Sequence, residues 1–566
     1  MATPSLGRAE RSDRRFVRRW GLIALFLLAF PYLVLALLTG AVSPGGTYSG
    51  MLFNPADTFL YLSQVLHSHL GEWAFTDYFT YLHEPPLALF ALYTVIGKLL
   101  LVPATPLTEA IAFHAARLAL AALFIQQAWR LYGELLVGRA VRRLSLMFVL
   151  FTSGLGLYQA VGAAVLGADL GHFRIPFDLD FIESSSFYGL LYAPHFAAVL
   201  LLVVVYLRAL HHASSVESGG WRATAAGVAS SAALATIHPE KIGVLGLCTV
   251  LYLAALQVQG RGGARRWLQG LLMVGGGVPY TVFALLLTIG DKQIVELLRQ
   301  GRPHLPPPDP WFYYPLGYGI PGLLALAGLP QLVRRFRDAP RGVLLLWSMV
   351  LASLVILLAP WQALDHRAEA MQVAVAGLAA RSLVREVLPR LWRTRLFRAA
   401  ARRRFLGYRR RRLRLLSINL VLIFSSVTVL YLAFGTIRGT LTDTVELYLN
   451  RDDPTALAWM QDHVGRDQVV LTGPYTAQFV AAYGGTHVVW GEWAFTPDYY
   501  AEGARLAKFF RGDTNRAEYL RSHGVQWIYF GPREANLDPS LDPASLPGVS
   551  GVYRTGATTI YRVGAP

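Results

Sequence analysis

This sequence has little charge, one cysteine and none of the common nucleotide or hydrolase signatures. Only 15% of its 566 residues are Asp, Glu, Lys or Arg, and its mean hydropathy is +0.39. A soluble chain carries about 25% charged residues, so an ordinary soluble enzyme is excluded. The lone Cys248 excludes an intrachain disulfide and a cysteine-built metal centre. There is no Walker loop, no dinucleotide-binding glycine motif after a strand, no GxSxG and no HExxH. Acids are scarce as well, 35 against 52 lysines and arginines, for a net charge of +17.

What the chain has instead is apolar runs. "WGLIALFLLAFPYLVLALLTGAV" (20–42) is long enough to cross a bilayer core of about 30 Å. Further spans are expected near 108–131, 144–167, 194–210, 222–237, 242–257, 267–289, 313–333, 342–360, 368–384 and 415–436, about eleven in all. With the basic N-terminus (1–19) inside, the cytoplasmic segments become 138–143, 208–222, 260–266, 333–341 and 385–414. Every one is basic, as the positive-inside rule requires. The last holds thirteen arginines against one glutamate. Its charge suits acidic lipid headgroups, and no nucleic-acid partner is expected. The apolar stretch 85–102 is expected to lie along the membrane within a long first external loop, 43–107.

From 437 to 566 the chain turns polar. Strand-length runs at 468–473, 486–491, 525–531 and 558–563 alternate with helical patterns at 455–464, 475–483, 498–510 and 515–523. That is the signature of an α/β domain finished by a hairpin, and the span count places it outside. The expected fold class is therefore an α-helical polytopic membrane protein with a C-terminal extracytoplasmic α/β domain. The hexapeptide "GEWAFT" occurs twice, at 71–76 and 491–496. The flanks differ, so no domain-level repeat is implied; both copies are expected on the external side, which would let them meet, but coincidence is the preferred reading.

Ionisable residues gather in the external loops. They include Asp57 and Glu84 in the first, Asp180, Glu183 and His195 in or after the second, and His238, Glu240 and Lys241 in "HPEK". Arg302 and His304 follow in the fourth loop and Arg367 in the fifth. Charges at membrane depth cost about 2.5–3.5 kcal/mol, so idle ones are disfavoured; structural ion pairing is the competing account. A metal site from His83, Glu84, His172 or His195 has no supporting spacing.

Asp57 lies in "NPADTFLY". Asn54 suits an N-cap, Pro55 the first helical position and Asp57 the third, where an acid contributes about 0.3–1 kcal/mol through the helix dipole. The same helix is amphipathic, with Tyr61 one turn along on the polar face. It could hold a carboxylate at the lipid surface for a lipid-borne substrate. Local physics leaves cap and working acid level.

The layout resembles the GT-C superfamily of glycosyltransferases: one span, a long external loop with an early aspartate (Asp57), a "PP" step (Pro85-Pro86), and a span with an arginine near its outer end (Arg117). Over nearly its full length the chain is also similar to bacterial membrane proteins with a "PxD…Y" first loop, an "E-S-S-x-F…P-H-F" second loop (183–196) and a "HP" third loop (238–239). The usual paired acids are reduced to one here, since Thr58 follows Asp57, and no "WWD"-like motif is present.

The resemblance implies transfer of a sugar from a polyprenyl phosphate to a glycan, lipid or protein acceptor at the outer face of a bacterial inner membrane. Asp57 would be the general base. Lys241, Arg302 and Arg367, with His304 in reserve, would meet the departing phosphate. Glu84, Asp180 and Glu183 would bind sugar hydroxyls or an optional divalent cation, and His195 and His238 would donate to phosphate or sugar. A transporter of lipid-linked sugars predicts ionisable groups at mid-bilayer and repeat symmetry; a non-catalytic scaffold predicts replaceable loop acids.

Overall fold

A computed structural model describes residues 4–43, 45–52, 54–167, 176–215, 220–290, 313–358, 370–402, 410–442 and 446–564. Each expected span coincides with a helix. By length and composition, seven of the described helices can cross a membrane: Glu10–Ala41, Pro106–Leu135, Pro194–Ser215, Lys241–Val258, Ala264–Leu287, Tyr314–Arg334 and Arg412–Leu441. An eighth is the bent pair Arg139–Phe151 and Gly156–Val165. The chain is a multi-pass membrane protein. Three other expected spans hold shorter helices, Trp221–Ala235, Arg341–Leu357 and Met371–Ser382. At about 1.5 Å per residue these fall short of a full hydrocarbon core, so among the described residues length and composition alone count seven or eight spanning helices. In the 85–102 stretch the helix, Ala91–Leu99, has only nine residues.

The chain divides into two compact units. The first comprises Met1–Phe30, Arg117–Ala284 and Pro306–Gly435. Within it Pro194–Ser215 packs on Trp221–Ala235, Lys241–Val258 on Arg341–Leu357, and Met371–Ser382 on both Arg139–Phe151 and Tyr313–Ala327. The bent pair turns by 52° at residues 152–155. Close backbone approach explains the bend: a Cβ on Gly154 would lie 2.3 Å from the Gly317 carbonyl oxygen. Asp178 secures the break, its Oδ2 accepting from the Gly156 amide (3.2 Å) and the Ser153 hydroxyl (3.3 Å).

The second unit comprises Pro31–Ala116, Leu285–Leu305 and Thr436–Pro566. The C-terminal segment thus shares its packing with residues 31–116. Strands β1 (Thr47–Tyr48) and β2 (Tyr448–Leu449) pair antiparallel across that sequence distance. The main sheet contains β3 (Val469–Leu471), β4 (His487–Val488), β5 (Val525–Phe530), β6 (Val549–Thr555) and β7 (Thr558–Val563), in the order β4-β3-β5-β7-β6. The β4-β3-β5 part is parallel and the β5-β7-β6 part antiparallel. All three residues of β3 are buried, as suits a central parallel strand covered on both faces. Its core gathers Val469, Leu471, Leu506, Phe509 and Ile528, with Tyr81 of the first loop packed against it. Fully buried Phe59 completes the join, edge-on to Phe479 at 5.0 Å.

Candidate active site

Asp57 stands at the third position of helix Pro55–His69, and it is half-buried. The start of this helix differs from the expected cap. Asn54 has left-handed backbone angles (φ 38°, ψ 67°), and its side chain accepts no helix amide. Instead its Nδ2 donates to Asp57 Oδ2 at 2.6 Å. The asparagine holds the aspartate, so the carboxylate is a fixed group. Tyr61, one turn on, stacks on Tyr93 with ring centroids 4.6 Å apart.

A string of acids runs from Asp57 through this unit. Glu492, only 1% exposed, is pushed up to about 8, by burial first and by the Asp57 charge next. Its Oε2 accepts from the amides of Ala494 (2.7 Å) and Phe495 (3.0 Å). Buried Asp77 is raised well above the carboxylate range by burial and by Glu84, against an opposing hydrogen bond from the Phe79 amide at 2.8 Å. Burial and the nearby Asp57 therefore both favour the protonated form of Glu492.

Glu492 belongs to the second GEWAFT copy, and the two copies meet. Phe75 and Phe495 pack edge-to-face with centroids 5.1 Å apart. In the first copy Glu72 sits in the opposite setting. Burial would raise it, but the His67 imidazole, the Tyr78 hydroxyl (2.7 Å) and the Thr76 hydroxyl (3.1 Å) hold it down at about 2. Burial keeps His67 low, and its ring lies flat on Tyr78 at 3.6 Å. His487 follows at 4.7 Å from Tyr78 and is lowered to about 4 by its burial. His83 lies 4.6 Å from His487 and contacts the Asp467 carbonyl at 2.7 Å.

The first unit gathers a second group from distant positions in the sequence. The rings of His195 and His238 are 5.4 Å apart and nearly parallel. His238 Nδ1 lies 2.8 Å from Glu240 Oε1, and Lys241 Nζ lies 3.8 Å from the same oxygen. Burial alone would raise Glu240, but His238 and Lys241 hold it below the carboxylate range. Lys241 is 2% exposed. This is the paired arrangement a buried charge requires.

Arg117 is fully buried and donates to the carbonyls of Leu190 (2.8 Å) and Leu28 (3.1 Å). Glu183 is buried and Asp180 exposed, on short turns of the second loop. Arg302, His304, Arg367 and His172 lie outside the described residues. Among the described residues no three His, Cys, Asp or Glu side chains come together as metal ligands; His83 and Glu84 belong to the second unit and His195 to the first.

Sequence reasoning missed Glu492; Asp77 and Asp178 lie in the loops where it gathered the ionisable residues, without a role of their own. The duplicated hexapeptide was the one available signal for Glu492. Asp178, raised to about 6 by burial, stood out only as a loop acid, because its role depends on a bend in another helix.

No family model and no curated protein matches this chain. Among solved structures, the oligosaccharyltransferase of Archaeoglobus fulgidus, crystallised with a tethered acceptor peptide, is similar. Its TM-score is 0.50 at 13% identity, over 90% of this chain and 69% of that one. ArnT from Cupriavidus metallidurans in the apo state has a TM-score of 0.49 at 14% identity, over 99% of this chain and 100% of that one. The fold is thus similar to that of the archaeal oligosaccharyltransferase, in keeping with the layout expected from the sequence.

Proposed function

We propose that this protein is a membrane glycosyltransferase that moves a sugar from a polyprenyl phosphate to an acceptor at the outer face of a bacterial cell membrane, with inversion. The observation that carries the reading is the placement of Asp57: fixed by Asn54 at 2.6 Å and accompanied by Glu492, whose carboxyl is raised to about 8. Neighbouring acids of which one is pushed up by its surroundings are a common feature of acid–base sites. The donor class is the one that the loop layout's resemblance to the GT-C superfamily implies.

In the proposed reaction the Asp57 carboxylate takes the proton of an acceptor hydroxyl as that oxygen bonds to the anomeric carbon. The bond between that carbon and the phosphate oxygen breaks, and its electron pair leaves with the polyprenyl phosphate. Growing charge on this leaving group calls for cations; Lys241, Arg302 and Arg367 take that role, with His304 in reserve. His195 and His238 donate to phosphate or sugar, and Tyr61, Glu84, Asp180 and Glu183 line the sugar. Arg117 serves substrate binding by setting the helices around it. A divalent cation is optional in this scheme.

The test is turnover of the purified chain with a panel of polyprenyl-phosphate sugars, following release of polyprenyl phosphate and the anomeric configuration of the product. Inverted product supports the reading. Retained configuration would overturn the single-displacement mechanism, and no turnover with any donor would overturn the assignment.

A further inference from the structure

The first unit contains a cavity of about 510 Å³ away from every residue assigned above. Five arginines line it (Arg335, Arg381, Arg385, Arg390 and Arg393) against two acids, Asp338 and Glu386, a surplus of three positive charges. Arg381 is spent internally, since its Nη1 lies 3.2 Å from Glu386 Oε1 and both side chains are largely buried. Arg385 gives one N–H to the Val137 carbonyl at 3.1 Å. Arg335, Arg390 and Arg393 are exposed and make no ion pair among the described residues.

Local backbone builds this concentration. A π-helical turn, Leu383–Val387, interrupts the descent from Met371–Ser382 and is followed by the short helix Leu388–Arg393. The extra residue in such a turn re-aims the side chains after it, and such turns recur at binding sites. The facing wall comes from Leu329–Arg334 and the start of Arg341–Leu357, which adds the apolar Leu332 and Val343.

We infer that this cavity binds a phosphate ester, presented by the headgroup of an anionic phospholipid. Guanidinium forks match phosphate oxygens two at a time. Unpaired arginines beside apolar side chains, at the ends of membrane helices, match a headgroup with its first acyl carbons. The cavity volume lies in the range that holds a molecule rather than a bare ion. The site is independent of the proposed sugar transfer.

The experiment uses the full chain in detergent and measures binding of cardiolipin, phosphatidylglycerol and phosphatidylcholine by native mass spectrometry, with inorganic pyrophosphate in a separate arm. Two variants are compared, R335Q/R390Q/R393Q and R335K/R390K/R393K. The expected result is retention of the anionic lipids over phosphatidylcholine, weakened on the order of tenfold or more by the glutamine variant and less by the lysine variant, which keeps charge but loses the forks. Retention of pyrophosphate with no lipid preference would keep the phosphate site and assign it to a soluble source. Binding of neither, or binding unchanged in both variants, would overturn it. A glutamine variant that fails to fold leaves the lysine variant to decide, through the same graded loss.

Discussion

The two GEWAFT copies are identical in sequence and opposite in chemistry. Glu72 is held ionised at about 2 by His67, Tyr78 and Thr76, with Arg466 at 3.6 Å. Among the described residues Glu492 has backbone amides for partners and acids for neighbours, and it is raised to about 8. Even the glycines serve different ends. Gly71 has φ +121° in open space, whereas a Cβ on Gly491 would lie 2.7 Å from the Phe79 ring. The same six residues make an ion-pair network in one place and, in the other, an acid that burial and Asp57 push toward its neutral form. Neighbours decide the state of a buried carboxyl.

The comparison can be broken at its contact point. Phe75 is 1% exposed, and Phe75→Ala is expected to cost about 3–5 kcal/mol in stability. A double-mutant cycle with Phe495→Ala should return a coupling of about 0.5–1.5 kcal/mol; additive effects would mean that the copies do not support each other.

Next in size is Glu72→Gln, expected to cost about 1–3 kcal/mol at neutral pH through the lost charge-assisted bonds. Glu72 is depressed in the folded state, so its contribution is present above the ordinary carboxylate value of 4.5 and is lost as pH falls toward 2. Melting curves of variant and native chain should therefore converge in acid.

Glu492→Gln should behave in the reverse sense. Its raised value means that the folded state resists ionisation, so native stability declines as pH rises from 4.5 to about 8. The variant should melt with the native chain at pH 4 and above it at pH 9. In the transfer assay it should also remove an inflection near pH 8, the smallest effect expected here. An inflection that persists in the variant would assign it to another group.

Much of the scaffold was legible because its signals are local. The apolar runs located helices for every expected span, and the runs at 468–473, 525–531 and 558–563 contain β3, β5 and β7. The grouping of His195, His238 and Lys241 was partly legible too, since charged residues at membrane depth need partners. The Asn54–Asp57 contact runs from asparagine to aspartate, a direction that cap statistics do not distinguish. Glu492 was invisible as a partner of Asp57 because more than 400 residues separate them. Only the fold of the second unit, which combines 31–116 with 436–566, makes them neighbours.

The central claim is that Asp57 is the base. Asp57→Asn keeps shape and an oxygen for the Asn54 amide, so donor binding should be unchanged. Single-turnover sugar transfer, measured on the same preparation at saturating donor, should fall by about 10²–10⁴-fold. Native-rate transfer by the variant would contradict the account and leave Asp57 as a helix-start carboxylate.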